Sequence, residues 1–397
     1  MAGLRWLFVT TDYPWPLNHG TRLRVYHFSR TLAAMGDEVS VLSYATEDAE
    51  GSRAYEGAGV EMRMVEGRVR QRGEGRCFFG PYVYDPNFGE RLEAISGGYD
   101  VVVLVRPGVI QYAREARGAG CVVADMVDDA IVAERGSLWS DFRVGVFFRR
   151  LKFLVGEYVY EKRFARGIDS FIFVSERDSM SFGRRHGGVK VVTIPNGVDA
   201  GYFGSGLDQE EEGRATVMFL GNMDHPPNEA GARYLLDEIG PKIAERVPEV
   251  EFLIVGSNPS EAIRGKRGKN VCVTGWVEDV RFYFRRSTVV LLPMQTGTGI
   301  KNKLLEAWAS GKAVVGTSLA CQGVPARDGE NILMGETAGE LADATVRLLE
   351  DESLRKKIGA AGRATVEERL TWEKMGEELR GKILNRQDAK KRRGVKV

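Results

Sequence analysis

The sequence predicts an α/β protein of two doubly wound domains, each a mostly parallel sheet with helices on both faces. Three observations carry this prediction. Short runs rich in Val, Ile, Leu and Phe recur along the chain and are nearly continuous in hydrophobicity, as in strands buried on both faces. Segments with helical spacing separate them, as βαβ units require. The series then restarts after Pro195-Asn196-Gly197, and 397 residues are more than one ordinary core accommodates.

In the first half the strand candidates are Trp6–Thr10, Val39–Ser43, Val60–Met64, Asp100–Val105, Cys121–Asp125, Ser170–Val174 and Val189–Ile194. Val25, Phe28, Leu32 and Met35 recur at helical spacing after Gly20, so a helix joins the first two strands. Thr21 is placed to cap its start and Gly36 to end it. An acidic, strand-free stretch containing Asp208 to Glu212 marks a hinge near 200–215. The second half then offers Thr216–Leu220, Val250–Val255, Asn270–Thr274, Thr288–Leu292, Ala313–Gly316 and Asn331–Met334. Most of these end in Gly or Pro (Gly221, Gly256, Gly275, Pro293). From about Ala338 the pattern is wholly helical. The domains are therefore drawn as 1–200 and 201–371, followed by a terminal helix at 372–385 and a basic tail at 386–397.

Composition narrows the functional classes. The formal charge is +1, so no global basic field argues for nucleic acid. Cys77, Cys121, Cys272 and Cys321 are too far apart in sequence for a metal knuckle or redox pair, and His19, His27, His186 and His225 are equally scattered. No metal site is expected. The apolar run Trp6–Val9 is too short for a signal-peptide core, and no stretch of about 20 apolar residues occurs. The expectation is a cytoplasmic protein, with a peripheral place on the inner face of the cell membrane as a further option.

Ligands of open parallel sheets bind outside the carboxyl ends of the strands, so the loops that follow strands carry the candidates. The first loop, Asp12 to Thr21, brings His19, Gly20 and Thr21 to a helix start, where backbone N–H groups attract an anion. It lacks the G-x-G-x-x-G fingerprint, which counts against NAD. The second is the run GTGIKNKLLEAWASG, Gly297 to Gly311. Thr298, Gly299, Ile300, Lys301, Asn302 and Lys303 open a helix whose apolar stripe is Leu304, Leu305 and Trp308. Lys301 falls in line with that stripe, so its amine snorkels or meets an anion. Glu306 can accept two hydroxyl donors from a ribose or sugar, or it pairs with Lys303 on a solvated face. The third is Gly221-Asn222-Met223-Asp224, before a helix beginning near Asn228. An acidic set, Asp125, Asp128 and Asp129, follows another strand and reads either as an acceptor-hydroxyl site or as turn and capping residues.

Taken together these residues resemble the retaining glycosyltransferases of the GT-B fold, specifically glycosyltransferase family four. The matching pieces are the Gly36 to Val39 step, Ile194-Pro195-Asn196-Gly197-Val198-Asp199, Leu253 to Gly256, Gly275-Trp276-Val277, and Leu305 to Ala309 with Gly311. The 297–311 run is especially like bacterial transferases acting on exported polysaccharides or lipid-linked glycans. The resemblance implies two Rossmann-like domains facing across a cleft. The first would bind the acceptor, through His19, Thr21, Asp128 and Asp129. The second would bind a nucleotide-diphosphate sugar through Gly221, Asn222, Val277, the 298–303 run and Glu306, with Gly20 lending a helix N-terminus. Val277 would meet the nucleobase and Glu306 the ribose. A UDP-sugar is the family default, no cofactor is implied, and the last helix would return to the first domain.

Two departures stand out. Thr298 occupies the place of a second glutamate, eight residues before Glu306. Asn222 and Asn228 stand where the family carries an Arg and a Lys on the donor phosphates. Lys301, with Lys303, is therefore expected to supply the compensating charge, and Lys301 and Asp128 are the catalytic candidates. Between Phe142 and Arg166 the chain is basic and aromatic, which suits either a buried helix with solvated arginines or an anionic membrane surface bearing a lipid-linked acceptor. A nucleotide-sugar epimerase of the same fold, and a non-catalytic nucleotide-sugar binder, stay open as alternatives.

Overall fold

Among the described residues thirteen strands form, one at each predicted run, and every pairing between them is parallel. The computed structural model describes residues 3–46, 48–68, 82–137, 144–205 and 214–392, with side chains to 384. Cys77, the 208–212 stretch, residues 142–143 and the end of the basic tail lie outside the described residues. The strands are β1 (Arg5–Val9), β2 (Glu38–Tyr44), β3 (Val60–Val65), β4 (Val101–Val105), β5 (Cys121–Val127), β6 (Ser170–Phe173) and β7 (Val191–Thr193), then β8 (Thr216–Leu220), β9 (Glu251–Val255), β10 (Val271–Val273), β11 (Val289–Leu292), β12 (Ala313–Gly316) and β13 (Leu333–Met334).

Helices run between them. In the first half they are α1 (Gly20–Ala34), α2 (Ala49–Gly57), α3 (Pro86–Ser96), α4 (Ala130–Ser137), α5 (Val144–Phe164), α6 (Glu176–Arg185) and α7 (Ala200–Gly204). The second half adds α8 (Pro226–Tyr234), α9 (Gly240–Arg246), α10 (Glu261–Arg264), α11 (Arg281–Arg286), α12 (Asn302–Ala309), α13 (Ala338–Glu350), α14 (Glu352–Arg369) and α15 (Trp372–Arg392). Their starts follow local chemistry. Asp85 caps α3 with Pro86 in its first turn, Ser175 caps α6, and Thr337 with Glu340 forms a reciprocal capping box on α13. The sequence expectation for α1 needs one correction. The helix begins at Gly20 with His19 as its N-cap, so Thr21 lies inside the first turn.

The chain divides into two units, Met1–Asn196 with Trp372–Val397, and Gly197–Thr371. In the first, the sheet order is β3-β2-β1-β4-β5-β6-β7. In the second it is β10-β9-β8-β11-β12-β13. Each order reverses once, between β1 and β4 and between β8 and β11. Parallel strands whose helices leave on opposite faces open a crevice at such a reversal, so the loops after these four strands are the places to look.

The final helix belongs to the first unit. Trp372, Met375, Leu379 and Ile383 follow helical spacing and are all buried in the core that holds Trp6, Phe8 and Phe28. Trp372 stacks on His27 with ring centroids 4.8 Å apart and meets Phe28 edge-on at 5.6 Å. Arg380 makes a two-pronged pair with buried Asp37, at 2.7 and 3.0 Å. Burial pushes the Asp37 carboxyl up, but hydrogen bonds from Arg380, the Leu4 amide and the Trp6 indole hold it below the usual range. The Gly36–Val39 step thus carries the anchor for α15.

Candidate active site

In the second unit three strand ends converge. Gly221 follows β8, Gly256 follows β9 and Gly275 follows β10. The Gly221 amide donates to Val255 at 3.0 Å, and the Gly256 amide donates to the Gly275 carbonyl at 3.2 Å. A Cβ on Gly256 would sit 2.0 Å from the Gly221 carbonyl oxygen, and one on Gly221 would sit 2.8 Å from the Lys303 ammonium and from the Asn228 amide. Glycine is required at both because backbone and side chains close in from two directions.

The loop from Gly221 to α8 is held by its own amides. The Asn228 side chain donates from Nδ2 to the Asn222 carbonyl at 2.8 Å and accepts from Lys303 Nζ at 2.8 Å. Asn222 Oδ1 accepts from the Asp224 amide. Lys303 also lies over the Phe219 ring, 4.5 Å from its centroid. Lys303 therefore stands beside the Gly221 turn, reaching it from α12.

Lys301 behaves differently. Its Nζ donates to the carbonyls of Thr298 and Gly299, both at 2.8 Å, and the side chain is buried. Against the expectation that Lys301 leads the anion site, its amine is turned into its own loop. The helix starts at Asn302, so Lys301 is the N-cap and Gly299 lies ahead of the helix. The helical phase that placed Lys301 on a stripe does not extend back to it. Ile300 is half-buried against the core, as is Val277, while Asn302 is half-buried at the first turn.

Glu306 lies one turn beyond Lys303 on α12. Burial pulls the Lys303 amine down to about 7, against the attraction of Glu306, with Lys301 adding to the depression. Burial likewise pushes the Glu306 carboxyl up to about 7, which Lys303 opposes. His225, at the N-cap of α8, is held below its usual range by burial and by Lys303 and Lys301. Sequence spacing gave no sign of His225. Trp276, beside Val277, is 75% exposed.

In the first unit the loop after β1 carries a second polar set. His19 is lowered by burial and then by Arg22 and Arg106. Arg106, which follows β4, pairs with Asp12 and adopts a positive φ of 80°, a costly conformation for a residue with a Cβ. Arg106 went unnoticed in the sequence, since nothing but its place after a strand marks it.

The aspartate set divides. Asp125 forms a buried pair with Arg24, at 2.9 and 3.1 Å, and Arg24 also donates to the Ile194 and Pro195 carbonyls and to Asn196 Oδ1. Asp129 is buried, accepts from the Ile131 and Val132 amides at the start of α4, and takes two bonds from Arg185. The acceptor-side expectation for Asp129 is thus replaced by a capping role. Asp128 is half-buried. Among the described residues no group of three His, Cys, Asp or Glu could hold a metal ion, and no helix is long and apolar enough to cross a membrane.

A profile described as "Glycosyl transferase 4-like domain" matches residues 19–197, and one described as "Glycosyl transferases group 1" matches residues 214–351. The chain belongs to glycosyltransferase family four. Its two parallel-sheet units are those of the GT-B fold. The chain is 35% identical over 198 residues to a phosphatidyl-myo-inositol mannosyltransferase of Mycobacterium tuberculosis, a stretch of 47% of this chain and 51% of that protein. It therefore spans about half the length of the curated relatives it matches. Among solved structures, a sucrose-phosphate synthase of Thermosynechococcus elongatus aligns with a TM-score of 0.70 at 17% identity, over 97% of this chain and 99% of that one. The Anabaena protein HepE, in complex with UDP and glucose, aligns at 0.69 and 15% identity, over 96% and 100%.

Proposed function

We propose that the chain is a glycosyltransferase that moves a sugar from a nucleoside-diphosphate donor held by its second unit to a hydroxyl acceptor, with retention of anomeric configuration. The observation that carries this reading is the convergence of Lys303, Asn228 and the Gly221 turn beyond β8. Phosphate oxygens need fixed positive potential and backbone N–H groups at close approach. Lys303 supplies the first, and the glycine turn with the start of α12 supplies the second. Glu306 is one turn away on the same helix, at a spacing suited to the ribose hydroxyls. Val277 and exposed Trp276 border the place for the base.

Glycosyl transfer passes through an oxocarbenium-like transition state. As the glycosidic bond to the diphosphate breaks, negative charge grows on the leaving oxygen. Lys303 stabilises that charge, and His225 adds a polar group beside it. Lys301 acts one step removed, by holding the Thr298–Gly299 carbonyls so that the loop keeps its shape. The departing phosphate takes the proton of the attacking hydroxyl, so the reaction needs neither an enzyme nucleophile nor a metal. UDP is the favoured nucleotide, supported by the UDP held in HepE. A lipid-linked or glycan acceptor is supported by the name of the mycobacterial relative. The first unit takes that acceptor, with His19, Thr21 and Asp128 as its polar contacts.

Thermal shift with UDP, GDP, ADP and dTDP, followed by sugar transfer to a hydroxyl acceptor, tests the reading. Lys303→Met is expected to lower kcat about 100-fold while leaving the fold intact. Lys301→Met is expected to lower both activity and Tm. Full turnover by the Lys303 variant overturns the assignment of the cation, and nucleotide binding without sugar transfer overturns the transferase reading. The anomeric proton of the product, observed by NMR, separates retention from inversion.

A further inference from the structure

The first unit carries a basic pocket that the donor chemistry does not use. It lies between α4 and α6, has a volume of about 570 Å³, and is lined by Val132, Arg135, Arg177, Met180, Arg184 and Arg185 among others. Arg185 is neutralised, by Asp129 at 2.7 Å and Glu161 at 3.2 Å. Arg135, Arg177 and Arg184 have no ion-pair partner among the described residues, and all three are exposed. The nearby carboxylates are engaged elsewhere: Asp178 is buried and accepts from Ser175, and Glu134 pairs with Arg150. Glu176, at the exposed start of α6, adds a negative charge. Three uncompensated guanidinium groups around one cavity repel each other, and a phosphate with its several oxygens relieves that repulsion with two-pronged hydrogen bonds.

A second, independent feature lies beside the pocket. Along α5, Val144, Phe148, Leu151, Val155 and Tyr158 follow helical spacing and all face solvent, with Val144 at 70%, Phe148 at 61% and Val155 at 57% exposed. The opposite face, Glu157, Tyr160 and Glu161, is buried. The exposed row is roughly 20 Å long at helical rise. A contiguous apolar row of this kind marks an interaction surface, unlike single exposed side chains. Exposed Arg149 and Lys152 border it. Its C-terminal end adjoins α6, where Tyr158 meets His186 at 6.2 Å and Lys162 donates to the Arg185 carbonyl.

We propose that the arginine pocket and the outward face of α5 form one docking surface for a bilayer of anionic phospholipid. The apolar row enters the boundary between headgroups and acyl chains, and Arg135, Arg177 and Arg184 take the lipid phosphates. A soluble phosphate ester would use the pocket but not the row. The surface belongs to the first unit and the proposed donor site to the second; that it brings a lipid-linked acceptor to the reaction rests on the function proposed above.

Co-sedimentation of the full chain with phosphatidylcholine vesicles, with and without phosphatidylglycerol, tests this. Binding is expected only to the anionic vesicles and to weaken as salt rises. The triple variant Arg135→Gln, Arg177→Gln, Arg184→Gln is expected to weaken it roughly 100-fold. The double variant Phe148→Ser, Val155→Ser is expected to weaken it at least 10-fold, with the salt dependence retained. Circular dichroism and UDP binding serve as fold controls, and neither is expected to change. Four results would overturn the proposal: no binding to anionic vesicles at low salt; equal binding to neutral vesicles; binding insensitive to the arginine variant; or self-association of the chain, abolished by Phe148→Ser, in place of vesicle binding. Where the first of these results is found, direct binding of inorganic phosphate to the chain would reassign the pocket to soluble esters. UDP binding without vesicle binding defeats the lipid surface alone, and vesicle binding without nucleotide binding defeats the donor reading alone.

Discussion

Lys303 and Glu306 sit on successive turns of one helix, and burial draws both groups to about 7, so the proposed donor site is expected to be sensitive to pH. Lys303 is charged below about 7 and Glu306 above it. The KM for donor is therefore expected to pass through a minimum near neutral pH. Glu306→Gln should remove the acid limb, and Lys303→Arg, whose charge persists, the alkaline one. Initial rates over a pH series check both, and a flat profile in the wild-type chain contradicts them. Glu157 makes a separate case. It is fully buried, and burial together with Glu161 pushes its carboxyl up to about 7, while Tyr82 donates to it. The unfolded chain loses this proton near the ordinary value and the folded chain keeps it to about 7, so stability falls as pH rises through that window. Glu157→Gln is expected to raise Tm at pH 8 by roughly 5 °C and to change it little at pH 4. Scanning calorimetry at the two pH values decides it. At this scale the sequence was least legible. Arg24, on a helix face, resembles any solvated arginine until Asp125 and the 194–196 carbonyls surround it. Lys303, and not Lys301, reaches the Gly221 turn, because a helix phase read from Leu304 onward says nothing about the cap.

Secondary-structure elements were far more legible. Strands buried on both faces must be continuously apolar, so each predicted run lies on a strand, with ends differing by a residue or two. The strand-ending glycines also signalled their role, since Gly221 and Gly256 mark backbone contact at the site. The last helix was legible as a helix, and its return to the first domain only through the family resemblance; its contacts were not, because Asp37 and His27 are distant in sequence and hold no pattern in common with it. Its attachment predicts an outcome. Trp372→Ala removes the stack on His27 and the edge contact with Phe28, and is expected to cost the first unit about 3–5 kcal/mol. Urea unfolding followed by circular dichroism measures it, and a loss below about 1 kcal/mol would show that α15 packs only loosely.

The whole chain carries two separate sheets, each with its own core. Such a molecule need not unfold in one step. UDP at about 100 times its Kd stabilises the state that binds it by roughly 2.7 kcal/mol. The melting transition of residues 197–371 is therefore expected to rise by roughly 5–10 °C, while that of the first unit stays in place. Hydrogen exchange with and without UDP assigns the transitions, and equal protection of both units would contradict the donor assignment.

The chain leaves the first unit at Asn196 and re-enters it at Trp372. This has a consequence for synthesis. Residues 197–371 are contiguous, so that unit can complete its core as soon as they leave the ribosome. The first unit, though made first, still lacks the tryptophan and arginine that cover His27 and Asp37, and it finishes last. A stop codon after residue 371 would therefore leave the later-made unit whole and expose the core of the earlier one.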